Sequence, residues 1–393
     1  MSTEVALHPA VALTQQLVRL DTRNPPGAEA PAIDLLEARL SAAGFSTTVV
    51  PYLNDPSRRH VVARLSGKGS RPGVLFSGHV DVVPPGDNPW SFSPFCGELQ
   101  DGRVLGRGAC DMKSGVAALV IAAEQIARMK VDLEGDLVVA LTADEERNCL
   151  GAEQLVKEPL FDGLGYALVA EPTSLELVIA EKGALWVDVS FLGKTAHGSM
   201  PQSGANAISA AAEFMVRWES RYDALSATHP FLGRATLNPG VIRGGVKVNV
   251  VADRCTIELD MRTVPPMAHT DLVADIRALA AGIADSRAGI SFTMALASDR
   301  PSVFCDPESG LARALSASFR ALDGRNRVCG GVPYCTEACI WTPSLGVESV
   351  ICGPGRPDMA HQPDEYVDAA EIVVATDAFR AAALELLSAG PTL

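Results

Sequence analysis

Up to about residue 180 the apolar positions switch repeatedly between helical and strand spacing. In "MSTEVALHPAVALTQQLVRLD", Leu13, Leu17 and Leu20 recur at helical intervals with polar residues between them. "AIDLLEARLSAAG" predicts an amphipathic helix stopped by Gly44. "VLFSG" predicts a strand, "SGVAALVIAAEQIARM" a mostly buried helix, and "DLVVALTAD" and "YALVAE" two further strands. Alternation of this kind makes an α/β domain, a helix-covered mixed sheet that is at least partly parallel.

The texture then changes. "ALWVDVSFLGKTAH" alternates apolar and polar residues as a one-sided strand does. A helix ("GANAISAAAEFMVRWESR"), strands in "ATLNPGVIRGG" and "DRCTIELDMRT", a helix from about Asp271 to Ala284 and a last strand in "GISFTMAL" complete an inserted α+β sandwich. After about Asp299 the α/β character returns, with a helix in "GLARALSASFRAL", a strand in "ESVICG" and a final helix from Asp368. The prediction is a discontinuous domain of residues 1–182 and 295–393 enclosing a second domain of residues 183–294.

Composition changes this picture little. A chain of 393 residues with 47% hydrophobic content has room for one large or two moderate domains. Its net charge of −14, with Lys and Arg scattered singly, argues against a nucleic-acid surface. No apolar run approaches the length of a membrane span, and the first residues lack a basic leading region, so a cytoplasmic protein is expected. Nine cysteines, an odd number, fit a reducing compartment better than a disulfide framework. Cys329, Cys335 and Cys339 lie close in sequence, but without paired C-x-x-C spacing they read as core thiols rather than a zinc site.

The charged residues at the strand ends are the anomaly. "VLFSGHVDVVPPG" carries His79 and Asp81 two apart, "TADEE" ends in Glu145 and Glu146, and "YALVAE" ends in Glu171. Asp111 sits in the glycine-rich "GRGACDMKSG", and His361 follows the strand of "ESVICG". Ligands of open α/β sheets bind beyond the carboxyl ends of the strands, so five carboxylates and two imidazoles are predicted at one edge. So many carboxylates raise one another's pKa unless cations neutralise them. Nitrogen and oxygen donors without thiolate suit zinc, with cobalt or manganese compatible. Two ions about 3.5–4 Å apart, sharing a carboxylate, would use all the ligands. Asp81, on the same strand face as His79, is expected to accept the imidazole's other N–H and fix its tautomer.

The segments "GHVDVVPPG", "GRGACDMKSG", "TADEE", "AEPT", "KTAHGSMP" and "AHQPDEYV", in this order, resemble the dizinc amidohydrolases. That family includes acetylornithine deacetylase, succinyl-diaminopimelate desuccinylase, aminoacylase-1 and glutamate carboxypeptidase. The resemblance runs nearly end to end. It implies a metal-dependent hydrolase that cleaves the amide of an N-acyl amino acid, or alternatively a dipeptidase or carboxypeptidase acting on a short peptide. It assigns His79 and Glu171 to one zinc, Glu146 and His361 to the other, and Asp111 as the bridge, with Glu145 as general base. It makes the inserted domain a lid and dimerisation domain, and His197 an oxyanion donor reaching the partner subunit's site in a homodimer. Asn249 and Arg262 match substrate-contacting positions, with a structural ion pair the bland alternative for Arg262. Gly355 would lie in a turn bringing backbone near substrate. "GVPYCTEACIW", with Thr336, would line the acyl pocket, although Cys335 stands where glycine is common. Arg147 and Asn148 are larger than expected after the acidic pair. His8, His60, His229 and His269 match nothing. A non-catalytic binding protein would have lost ligands or the base, and a cysteine hydrolase would use Cys110.

Overall fold

The structure, a computed structural model, describes residues 3–53 and 55–388. The described chain forms two compact units. The first comprises the residues up to Ile179, Cys305–Gly330 and those from Thr336 on; the second comprises Ala180–Phe304 and Gly331–Cys335.

The first unit is built on a large mixed sheet. Its strands run in the order Ser46–Tyr52, Asp55–Leu65, Leu137–Thr142, Gly73–His79, Leu164–Val169, Glu348–Ile351 and Leu177–Glu181. The four from Leu137–Thr142 to Glu348–Ile351 are parallel, and their outer neighbours run antiparallel. Gly73–His79 and Leu137–Thr142 are buried at every position, the signature of strands covered on both faces. Helices Gly310–Asp323, Ala369–Leu387 and Ser114–Met129 pack in succession, and Ala338–Leu345 packs on Glu348–Ile351 and Leu164–Val169. Pro9–Val18 buries Leu13 and Leu17, and the His8 imidazole accepts the Ala10 N–H at its start.

The second unit is a four-stranded antiparallel sheet in the order Thr236–Gly244, Arg254–Thr263, Gly183–Leu192, Ser291–Arg300, with helices Ala207–Leu225 and His269–Ser286. Arg254–Thr263 alternates buried and less buried positions along most of its length. Phe191, Phe214, Trp218 and Tyr222 form a chain of ring contacts in its core.

The second unit reaches Phe304 rather than residue 294. The strand read from "GISFTMAL" continues to Arg300, and Val303–Phe304 pairs with Ala180 and Glu181. The hairpin of Ser46–Tyr52 and Asp55–Leu65, and the small sheet of Glu98–Gln100, Arg103–Leu105 and Tyr366–Asp368, were not foreseen. No helix among the described residues is long and apolar enough to cross a membrane.

Helix Ser114–Met129 begins against the backbone before Glu171. A Cβ built on Gly115 comes 2.0 Å from the Ala170 carbonyl oxygen, so only glycine permits the approach. Gly115→Ala is expected to cost about 1–3 kcal/mol through overpacking, read as a lowered midpoint in thermal denaturation.

Candidate metal centre

The four parallel strands end at one edge of the first unit's sheet, and the predicted residues gather there. His79 closes Gly73–His79 and is 1% exposed. Its Nδ1 lies 3.0 Å from the backbone carbonyl of Asp81. A carbonyl only accepts, so Nδ1 carries a proton, and Nε2 faces Asp111 Oδ1 at 3.2 Å and Glu171 Oε1 at 3.5 Å.

This alters the part expected of Asp81. Its carboxylate is 3.6 Å from Nδ1, beyond a hydrogen bond, so the main-chain oxygen and not the side chain fixes the tautomer. The carboxylate instead accepts the N–H groups of Glu145 and Glu146, both at 3.2 Å, and Asn24 Nδ2 at 3.0 Å. Asp81 therefore anchors the turn that presents the acidic pair. Those two residues open the short helix Glu145–Asn148 beyond the strand instead of ending the strand itself. Asp144, at φ 70°, leads into it; its Oδ1 accepts from Asn24 at 3.0 Å and from Arg58 at 3.3 Å, and Arg58 also pairs with buried Glu29 at 2.6 Å. His60 accepts the Ala143 N–H at 3.0 Å, and burial holds its pKa down at about 4, so the ring stays neutral.

Asp111 is held by a residue to which the sequence reading gave no role. The buried Glu365 carboxylate accepts the N–H groups of Gly108 at 3.1 Å, Cys110 at 2.9 Å and Asp111 at 3.0 Å, while Arg107 Nη1 donates to it at 2.5 Å. Gly108 has φ 84°, and the turn it allows converges these donors on one anion. Lys113, fully buried, donates to the Leu20 carbonyl at 2.8 Å, and burial lowers its pKa to about 7.

His361 Nε2 is 3.0 Å from Glu146 Oε2 and 3.5 Å from Asp111 Oδ2. The result is two ligand sets, His79–Asp111–Glu171 and Asp111–Glu146–His361, each with its donor atoms within 4.8 Å of one another and sharing Asp111. Glu145 Oε2 stands 3.9 Å from His79 Nε2.

The electrostatics suit a cation. Burial, then the neighbouring Asp111, pushes Glu171 up to about 7, and burial also raises Glu145 and Glu146. Burial opposes a charge on His79, yet Glu171 and Asp111 outweigh it and raise its pKa; the hydrogen bond to Glu146 lifts His361 to about 9. Asp111 is lowered despite burial, chiefly by His79. Glu146 Oε1 is buried without a hydrogen-bond partner among the described residues. An acceptor left in that state fits a metal ligand. Both sets contain imidazole and carboxylate and no cysteine. Cys110 is a poor nucleophile here, since burial, then Glu365 and Asp111, raises its thiol well above the usual range.

The remaining predicted residues are placed differently. Gly355, at φ 97°, donates its N–H to Glu371 at 2.7 Å, and a Cβ there would come 2.6 Å from Cys110 Sγ. Its amide is therefore spent within the protein, and the turn fits against the loop of Asp111. Thr336 is 2% exposed, and its hydroxyl accepts the Ala338 N–H at 3.1 Å at the start of Ala338–Leu345. In the second unit, Arg262 pairs with Asp260 through Nε at 2.9 Å and Nη2 at 3.2 Å, the ion pair that was the alternative to substrate binding. His197 and exposed Asn249 lie together there, because Gly198 donates to the Asn249 carbonyl at 2.8 Å and His197 bridges to Val250. Arg147 is exposed, and the side chain of Asn148 lies outside the described residues.

Residues 75–385 match the model of peptidase family M20/M25/M40, and the chain belongs to that family. It is 35% identical over 376 residues to an acetylornithine deacetylase of Myxococcus xanthus, covering 91% of this chain and 92% of that one. A "Probable succinyl-diaminopimelate desuccinylase" of Staphylococcus epidermidis is 28% identical, with 91% and 92% covered. Among solved structures, a dinuclear metal binding peptidase of the M20 family from Bacillus subtilis has the same fold, with a TM-score of 0.72 at 16% identity over 96% of this chain and 97% of that one. The chain is thus an M20 hydrolase with a mixed α/β architecture.

Glu365→Gln turns an N–H donor toward a nest of N–H donors and leaves Arg107 without its charge partner. Loss of one member of a buried pair costs about 3–5 kcal/mol, so this variant is expected to unfold at markedly lower urea concentration than the parent protein.

Proposed function

We propose that the protein is a dizinc amidohydrolase that cleaves the amide bond of an N-acyl amino acid. The observation that carries this reading is the pair of ligand sets sharing Asp111, with Glu145 beside them. The curated relatives, deacylases of amino acids, support the substrate class. The residues present fit the metal: His79 and Glu171 would hold one ion, Glu146 and His361 the other, and Asp111 both. Bound there, the ions supply Lewis acidity to the scissile carbonyl and make water a nucleophile at neutral pH.

The chain's own residues do the rest. Glu145 takes a proton from the attacking water and passes it to the leaving amine, so the amide and water become a carboxylate and an amine. Burial raises its pKa, which suits a group that must both accept and return a proton. Asp81 holds the N–H groups of Glu145 and Glu146 and so fixes the base beside the ligands. His197 donates to the oxyanion. Its Nδ1 accepts the Ser199 N–H at 3.2 Å, so the neutral ring carries its proton on Nε2, the tautomer a donor needs. We assign the second unit to lid and dimerisation roles, with His197 serving the partner subunit's site in a cytoplasmic homodimer.

Zinc-loaded protein is expected to hydrolyse N-acetylornithine or N-succinyl amino acids in preference to dipeptides, and chelation to abolish the activity; preference for dipeptides would replace the deacylase reading with the peptidase one. Glu145→Gln is expected to lower kcat by about 10²–10⁴ with zinc content unchanged. His197→Ala is expected to lower kcat by about 10²–10³. Mixing these two inactive variants restores part of the activity if the sites are shared across a dimer, and none if each chain is self-sufficient.

A further inference from the structure

At the opposite edge of the first unit's sheet, where the parallel strands begin, a cavity of about 660 Å³ is lined by Arg71, Tyr166, Gly310, Arg313, Arg320 and Glu385, among others. Arg71 lies just before Gly73–His79, and Tyr166 lies in Leu164–Val169. Strands of six or seven residues span about 20 Å, so this cavity is well removed from the carboxylates where the same strands end.

Three guanidinium groups in one hollow are unusual in a chain of net charge −14. Most arginines of this protein meet a carboxylate; just beyond the same helix, Arg325 pairs with Glu176 at 3.8 Å and Arg327 with Asp323 at 2.6 Å. Among the described residues, Arg71, Arg313 and Arg320 make no ion pair within 4 Å and no side-chain hydrogen bond, although Arg71 lies close enough to Glu134 to lower its pKa. Arg313 and Arg320 are seven residues apart on Gly310–Asp323 and so share a face, and Gly310 puts the start of the helix on the same wall. That start adds a partial positive charge. A Cβ on Gly310 would come 2.9 Å from the Tyr166 hydroxyl, so glycine lets the helix start beside it. Glu385 is the one carboxylate among the lining residues, leaving an excess of two positive charges.

We propose that this cavity is a second binding site, for a small molecule carrying at least two anionic groups. The planar guanidinium fork matches phosphate and carboxylate alike. A concave wall focuses the field of the three cations, and a volume in this range accommodates a metabolite-sized ligand. The ligand is distinct from the hydrolysed substrate, because it binds at the other edge of the sheet. The inference does not depend on the hydrolase reading.

The test is calorimetric titration of the full chain, zinc-loaded and chelator-treated, with inorganic pyrophosphate as the phosphate source and citrate as the carboxylate source. Saturable binding of either probe in both preparations is expected, weakened at least tenfold by Arg313→Ala and by Arg320→Ala. Both residues are exposed, so their replacement leaves the fold and the thermal midpoint of the free protein unchanged. The probe that binds more tightly identifies which anionic group the site prefers. Absence of binding by both probes overturns the proposal. So does binding that survives both substitutions, or that chelation abolishes, because the anion then sits elsewhere or on the metal.

Discussion

Mutual repulsion between buried carboxylates is the constraint around which this protein's sheet edge is organised. In a medium of low dielectric, each ionised carboxylate needs either hydrogen-bond donors or a nearby cation. Two of them receive donors. Asp81 accepts two backbone N–H groups and an amide, and Glu365 accepts three N–H groups and a guanidinium. Asp111, Glu146 and Glu171 meet imidazoles instead. The division separates two groups: carboxylates supplied with donors build the frame, and those that meet imidazoles make up the two candidate ligand sets.

The frame and the ligands are linked residue to residue. The same Glu365 oxygen that accepts from Cys110 accepts from Asp111, so Asp111, common to both sets, cannot shift without disturbing the nest. On the other side, the Asp81 carbonyl orients His79 while the Asp81 carboxylate holds Glu145 and Glu146. One residue thereby couples His79 of the first candidate set to Glu146 of the second and to Glu145 beside them.

Much of this was legible because it violates an ordinary pattern. A strand such as "VLFSGH" is apolar until its last residue, and a charged or imidazole side chain there signals something to bind. The two-unit organisation was legible from the change in spacing near residue 180. What could not be read depends on which atom a residue uses. Asp81 was recognised as the partner of His79, but sequence spacing speaks for side chains, and the carbonyl does the orienting. For Arg262 the sequence offered an ion pair only as an unnamed alternative; the structure supplies its partner in Asp260, two residues away on one strand and so on the same face. Glu365, in "PDEYV", looks like one more acidic turn residue; its importance comes from N–H groups more than 250 positions away in sequence. Thr336 and Gly355 were placed by resemblance near substrate; in the structure Thr336 is buried and accepts the Ala338 N–H, and the Glu371 carboxylate accepts the Gly355 N–H.

Behind the acidic pair lies a layer that holds Glu145 in place. Asp144 adopts a left-handed conformation, which a non-glycine residue keeps only when its surroundings hold it. Asn24 and Arg58 hold its carboxylate, Glu29 holds Arg58, and a neutral His60 holds the amide of Ala143 one residue earlier. A general base contributes most when its position is set before substrate arrives, so that no reorganisation is required during proton transfer. In the role proposed for Glu145, the buried network does that work.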